Sequence, residues 1–137
     1  MNGRVLDTSA LIHWGLRSSP YVDATVWMRA ENTGTYVAPL ITTSAALTAA
    51  LAQLPAKAVP LLEVLLGMEA TTIVDNLTPS NAPAVAEVLA KAGPDAAEWL
   101  TAATVVLAAR RRALPVVTAH PFRLVSLWPE IEIDLIP

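Results

Sequence analysis

The chain has 137 residues, the length of one ordinary domain, and its composition of 54% hydrophobic and 15% charged residues excludes intrinsic disorder. It contains no cysteine, which excludes disulfides, thiolate zinc sites and cysteine nucleophiles. A reducing compartment is therefore favoured, and we expect a cytoplasmic protein. The net charge of −3 gives no global attraction to nucleic acid, although Arg110, Arg111 and Arg112 form a local basic cluster.

Hydropathy argues against a membrane span and in favour of self-association. The uncharged segment 32–56 is interrupted by Pro39, Gln53 and Pro55, and residues before Asp7 lack the basic flank and apolar run of a secretory signal. The mean hydropathy of +0.49 is high for a small domain. We therefore expect a homodimer that buries apolar helices, through residues 60–68 or 22–30.

The chain opens with a short apolar stretch, Arg4 to Leu6, that ends in Asp7, Thr8 and Ser9. Apolar residues then recur at helical spacing from Ala10 onward. This order predicts a strand, a turn and a helix, with side-chain oxygens available to cap the helix at the carboxyl end of the strand.

Strand-prone and helix-prone segments alternate through the rest of the sequence. Further strands are predicted at 35–40, 71–74, 115–118 and 131–136, and helices at 20–30, 44–53, 61–68, 82–92 and from 95 to 112. The last of these helices is apolar almost all round, which predicts burial against a sheet. We expect one α/β domain over residues 1–137, a three-layer α/β/α fold with about five mostly parallel strands and ligands beyond their carboxyl ends.

Two short motifs point to a family. The residues VLDTSAL at 5–11 and LPVVTAHP at 114–121 resemble the ends of a PIN domain, in particular the VapC-type toxin ribonucleases. The resemblance covers the whole chain and agrees with the predicted order of elements. It implies RNA hydrolysis assisted by Mg²⁺ or Mn²⁺ on three or four carboxylates, with RNA and a cognate antitoxin protein as partners.

Most of the carboxylates that the resemblance implies are absent. The first falls on Asp7, but the second falls within 44–47, the third near Ala102 and the fourth on His120. One carboxylate holds Mg²⁺ weakly, so we expect weak or no metal binding, with Asp7 as the remaining ligand. Glu98, one helical turn before Ala102, is the candidate replacement.

Each candidate residue also has a simpler interpretation. Asp7 is either a metal ligand or only a helix cap, and His120 is either a general base beside Asp7 or a surface histidine. Thr8, Ser9 and Thr118 line the predicted site as turn, capping and backbone-binding residues. We expect His13 to point to another face of its helix.

Three functions follow from these alternatives. The first is a PIN-like ribonuclease whose activity is weak or lost. The second is a non-catalytic binding or regulatory module that contacts protein or RNA. The third is a hydrolase rebuilt on Asp7, His120 and Glu98.

Overall fold

The computed structural model describes residues 3–30, 38–68 and 71–137. Within them five strands form one sheet, β1 (Arg4–Leu6), β2 (Leu40–Thr43), β3 (Thr72–Asp75), β4 (Val116–Thr118) and β5 (Ile133–Leu135). The order across the sheet is β3-β2-β1-β4-β5, and every neighbouring pair is parallel. The expected α/β fold with a five-stranded sheet is confirmed.

Helices connect the strands, as parallel pairing requires. They are α1 (Thr8–Leu16), α2 (Pro20–Ala30), α3 (Ser44–Gln53), α4 (Val59–Leu66), α5 (Ala82–Leu89), α6 (Leu100–Arg112) and α7 (Phe122–Leu127). Stretches of 3₁₀ helix lie at Ala56–Ala58 and within Ala90–Trp99, and the second range is interrupted at Gly93. Helix α1 contacts β1 and β4, α6 contacts β1 and β2, and the arrangement is that of a three-layer α/β/α domain.

Side-chain caps explain where the helices at the carboxyl edge begin. The Asp7 carboxylate accepts a hydrogen bond from the backbone N–H of Ala10 at 3.0 Å, and the Thr43 hydroxyl accepts one from Ala46 at 3.1 Å. Ser19 caps α2, because its hydroxyl accepts a hydrogen bond from the N–H of Val22 at 3.2 Å.

The core is centred on β1 and α6. Residues 103–109 of α6 are all buried, as its nearly uniform apolar sequence predicts. Trp14 of α1 is fully buried, and its indole N–H donates to the carbonyl of Leu61 at 2.7 Å. This pairing satisfies the one polar group of a large core side chain.

The second strand begins later than predicted. Of the predicted range 35–40, residues 35–37 lie outside the described residues, and the strand itself runs from Leu40 to Thr43. Pro39 has no N–H to donate, so the pairing with β3 starts at Leu40, whose N–H donates to the carbonyl of Thr71 at 2.7 Å. The β-branched Thr42 and Thr43 therefore belong to the strand.

The predicted break at Gly93 and Pro94 is present, because Gly93 has a non-helical backbone, but the segments on either side of it differ from the prediction. Helix α5 ends at Leu89, and a 3₁₀ segment continues to Trp99, where an α-helix starting at 95 was expected. Gly93 has a φ of 59° and Pro94 lacks a donor, so a regular α-helical hydrogen-bond ladder cannot pass through them. Smaller shifts affect α4, two residues earlier than predicted, and β5, which is shorter than 131–136.

Across the described parts of the chain, we find no helix with both the length and the apolar character needed to cross a bilayer.

Candidate functional site

The candidate site lies where β1 and β4 end. Asp7 directly follows β1 and is only 9% exposed. Its Oδ1 accepts hydrogen bonds from the Ser9 hydroxyl at 2.6 Å and from the Ala10 N–H at 3.0 Å. The carboxylate thus already acts as the cap of α1.

Hydroxyl groups join the ends of these two strands. The Ser9 hydroxyl accepts from the N–H of Ala119 at 2.9 Å and lies 3.4 Å from the hydroxyl of Thr118. The fully buried Thr118 accepts from the N–H of His120 at 2.9 Å. Ser9 and Thr118 therefore fix the backbone that carries His120.

Burial dominates the ionisation of Asp7. Desolvation raises the pKa of its carboxyl above the ordinary value. Hydrogen bonds from Ser9, Thr118 and Ala10, followed by the charge of His120, lower the pKa and only partly offset this effect. Asp7 consequently gives up its proton less readily than an exposed aspartate.

A pocket of about 430 Å³ opens at this edge of the sheet. Of the predicted site residues, it brings together Asp7, Thr8, Ser9, Glu98 and His120. Thr118 does not line the pocket, since it lies buried and contributes through its hydrogen bond to His120. The Thr8 hydroxyl donates to the carbonyl of Ala46 at 3.3 Å and so connects α1 to α3.

Only some of the positions at which the resemblance implies further acids line the pocket. Ala102 and His120 line the pocket together with Asp7, whereas Ala45 and Ala46 do not. Ala46 is fully buried. An acid at 102 or 120 would therefore share the pocket with Asp7.

Glu98 lines the pocket, but it lies on a different element from the one predicted. It lies in the 3₁₀ segment and not on α6, and its side chain is 73% exposed. Arg123 holds this segment, because its Nη1 donates to the Glu98 carbonyl at 2.8 Å and its Nη2 lies 4.0 Å from Oε2. The Glu98 carboxylate is a solvated partner of Arg123.

The prediction for His13 is wrong, because His13 lines the same pocket. Its Nδ1 lies 2.7 Å from the hydroxyl of Ser18. Counting six residues from Asp7 placed His13 on another face, but Asp7 is a cap outside the helix. Counted from Ser9 it is four residues on, and therefore on the same face. Arg123 and Gln53 also line the pocket and were not predicted.

The donor set does not fit Mg²⁺ or Mn²⁺. Among residues 3–30, 38–68 and 71–137, no three histidine, aspartate or glutamate side chains are grouped so that they could hold a metal. Both hard cations need several oxygen ligands, whereas Asp7 Oδ1 is engaged by two donors and Glu98 by Arg123. The other charged or titratable groups on the walls are His13, His120 and the Arg123 guanidinium.

Comparison with known proteins finds no family model that matches the chain and no curated protein similar to it. The resemblance to PIN domains therefore depends on the two short motifs and the order of elements.

Proposed function

We propose that this chain is a PIN-like domain, resembling the VapC-type toxin ribonucleases, whose metal-dependent ribonuclease activity is weak or lost. The state of Asp7 carries the proposal: the one acid that matches the family pattern is buried, used as a helix cap and raised in pKa. A metal cation at Asp7 would need the ionised carboxylate, which burial opposes, and no group of three acidic or histidine side chains within the described residues is placed to hold it. The proposal includes the cytoplasm as location and RNA and an antitoxin as partners.

A second candidate is a non-catalytic binding module. It is favoured by the pocket itself, which remains open at about 430 Å³ although its carboxylate is engaged. Polar and apolar side chains both line it, including Thr101, Gln53 and Ile12. Such a mixture suits a ligand that is held by hydrogen bonds and packing.

Metal titration and RNA cleavage test the leading proposal. We expect the purified chain to bind Mg²⁺ and Mn²⁺ with Kd in the millimolar range or weaker by calorimetry, and to release no fragments from single-stranded RNA. The double variant Ala102→Asp, His120→Asp places two carboxylates on the wall beside Asp7 and is expected to bind Mn²⁺ more tightly. A matched control, Ala52→Asp with Ala86→Asp, adds carboxylates at exposed helix positions outside this pocket.

Two results would overturn the proposal. One is micromolar metal affinity of the unaltered chain. The other is Mg²⁺-dependent cleavage that Asp7→Asn abolishes and Glu98→Gln weakens, which would mean that the site is rebuilt and active.

A further inference from the structure

The carboxyl of Asp7 keeps a hydrogen-bond acceptor that the helix cap does not use. A carboxylate can accept about four hydrogen bonds, shared between its two oxygens. The Ser9 hydroxyl and the Ala10 N–H both donate to Oδ1, and the Thr118 hydroxyl, which lowers the pKa of this carboxyl, has a single proton to donate. At least one acceptor position therefore remains on Oδ2 of a side chain that is only 9% exposed and lines the 430 Å³ pocket.

The charges on the pocket walls leave Asp7 without a strong cationic partner. Arg123 is the one arginine or lysine on the described walls, and it is engaged by Glu98. The N-terminal end of α1 carries a partial positive charge, which Asp7 meets through Oδ1. The charge of His120 also lowers the pKa of Asp7, but it is the smallest of the effects on that pKa and does not offset burial.

Neutral oxygen acceptors lie on the same walls. The Thr8 hydroxyl donates its proton to the carbonyl of Ala46 at 3.3 Å, and Gln53 Nε2 donates to the carbonyl of Ala49 at 3.1 Å. Thr8 and Gln53 both line the pocket, and each keeps an oxygen that can accept. A ligand that carries several N–H donors on one atom has more than one acceptor available here.

Much of the remaining wall is apolar. Ile12 of α1, Ala102 and Val105 of α6 and Leu124 of α7 line the pocket. Val105 and Leu124 are almost completely buried within the fold. A hydrocarbon group that packs against these side chains loses contact with water, so the pocket suits a ligand with one polar end and an apolar body.

We propose that the pocket binds a small primary amine as its ammonium ion, with the nitrogen donating to Asp7 and the hydrocarbon part packed against Val105 and Leu124. An ammonium group has three N–H donors and one charge, so a single carboxylate and neutral oxygens satisfy it. Mg²⁺ differs, because it needs several hard oxygen ligands in octahedral geometry. The inference goes beyond the proposed function, because it gives the second candidate, a non-catalytic binding module, a class of ligand.

Burial of Asp7 is compatible with this ligand. Burial opposes the ionised carboxyl when no opposite charge is near, whereas a cation at hydrogen-bond distance favours that form. A neutral ligand is the alternative, since a protonated Asp7 could donate to an alcohol or a carbonyl. The ammonium is favoured because two acids, Asp7 and Glu98, share the walls with one arginine.

The test is a titration of the isotope-labelled full chain with n-hexylammonium, 1-hexanol and hexanoate, followed by NMR in EDTA at about pH 8. An alkylammonium is charged at this pH and an ordinary histidine is neutral. We expect hexylammonium to bind about tenfold more tightly than hexanol, because a charge-assisted hydrogen bond is the stronger, and hexanoate to show no saturable binding. The amide signal of Ala10, which donates to Asp7, should shift with hexylammonium.

Asp7→Asn isolates the charge, because asparagine can still cap α1. We expect it to weaken hexylammonium binding about tenfold and to leave hexanol binding nearly unchanged, so that the two ligands bind alike. A loss of structure would instead weaken both ligands. Asp95→Asn is the matched control, because Asp95 is exposed and does not line the pocket, and this variant makes the same change in net charge.

Ala102→Leu tests the pocket independently of Asp7. The larger side chain takes up space on the pocket wall and should weaken the binding of hexylammonium and hexanol together. Ala52→Leu, at an exposed position of α3 outside the pocket, should leave both affinities unchanged.

The proposal is overturned if hexylammonium shows no saturable binding, if hexanol or hexanoate binds as tightly, if Asp7→Asn and Asp95→Asn weaken binding equally, or if Ala102→Leu leaves binding unchanged. These results leave the proposed function intact, because that proposal is judged by cleavage and metal binding. Conversely, Mg²⁺-dependent cleavage would remove the proposed function without changing amine binding in EDTA.

Discussion

Asp7 acts as a helix cap at the position where the family resemblance implies a metal ligand. As the cap of α1 it satisfies a backbone N–H that the helix leaves unpaired, and it orients Ser9 toward β4. A metal ligand at this position would have to be ionised, which burial opposes because desolvation raises the pKa of the carboxyl. Because the neighbouring positions 102 and 120 are alanine and histidine, nothing in the pocket favours the ligand role over the cap.

The pH dependence of stability should report the raised pKa of Asp7. The native state holds this proton more tightly than the unfolded chain, so the resulting stabilisation is fully present below pH 3.8 and is lost as pH rises through the native pKa. We predict that Asp7→Asn, which cannot titrate, gains stability relative to the unaltered chain as pH rises above 3.8. Urea unfolding across this range measures the difference.

Asp7→Ala separates the cap from the titration. It removes both hydrogen bonds at every pH and should lower the free energy of unfolding by about 0.5–2 kcal/mol, the usual cost of losing a cap. The raised pKa of Asp7 would be contradicted if the difference in free energy of unfolding between Asp7→Asn and the unaltered chain did not change with pH.

At the scale of elements, an ion pair joins the last turn of α6 to the edge strand β3. Arg112 donates from both terminal nitrogens to the two carboxylate oxygens of Asp75, at 2.6 and 2.7 Å. The hydrogen bond to Asp75 raises the pKa of Arg112 against the opposing effect of burial. Arg112, a member of the basic cluster at residues 110–112, thus connects α6 to β3.

We predict that this pair contributes measurable coupling. Both side chains are less than a third exposed, 29% for Arg112 and 26% for Asp75, and their geometry is bidentate. A double-mutant cycle of Arg112→Ala and Asp75→Ala should give a coupling on the order of 1 kcal/mol that decreases with salt. Arg111→Ala, an exposed neighbour on the same turn, is the control, and equal losses for Arg111 and Arg112 would contradict the prediction.

The order of elements was predictable from the sequence, whereas several boundaries were not. The alternation of short apolar runs and helical segments fixes a parallel sheet, and that rule alone places Asp7 and His120 at one edge. The start of β2 depends on pairing with β3 and on Pro39, within a segment that has no charged residue. Strand propensity alone therefore does not indicate at which residue of this segment β2 begins.

The side-chain content of the site was only partly predictable for a related reason. The edge-to-face contact between Trp99 and Phe122 forms because the 3₁₀ stretch after Gly93 brings together two residues that are 23 positions apart. The regular α-helix that the sequence predicts from Asp95 gives no indication of this contact. His13 was missed because the helix register was counted from the cap.

At the scale of the whole molecule, the composition leaves apolar side chains at the surface. Trp27 and Met28 of α2 are 40% and 48% exposed, and Val64 of α4 is 47% exposed. Both helices pack against α1, and Trp27 meets the buried Trp14 edge to face at 5.7 Å. These are the segments, 22–30 and 60–68, for which self-association was predicted, and the homodimer remains a prediction.

Light scattering tests whether a second copy covers these helices. We predict a dimer at tens of micromolar, because burying these side chains against another copy removes apolar surface from water. Met28→Lys with Val64→Lys should shift the mass to that of a monomer, since each lysine would have to be desolvated in the interface. Leu135→Lys alters a side chain that is 56% exposed on the edge strand β5, outside α2 and α4, and serves as the control. A monomer at that concentration, or a dimer that only Leu135→Lys dissociates, would exclude α2 and α4 as the interface. The high mean hydropathy of the chain would then be explained by its buried helices, above all α6.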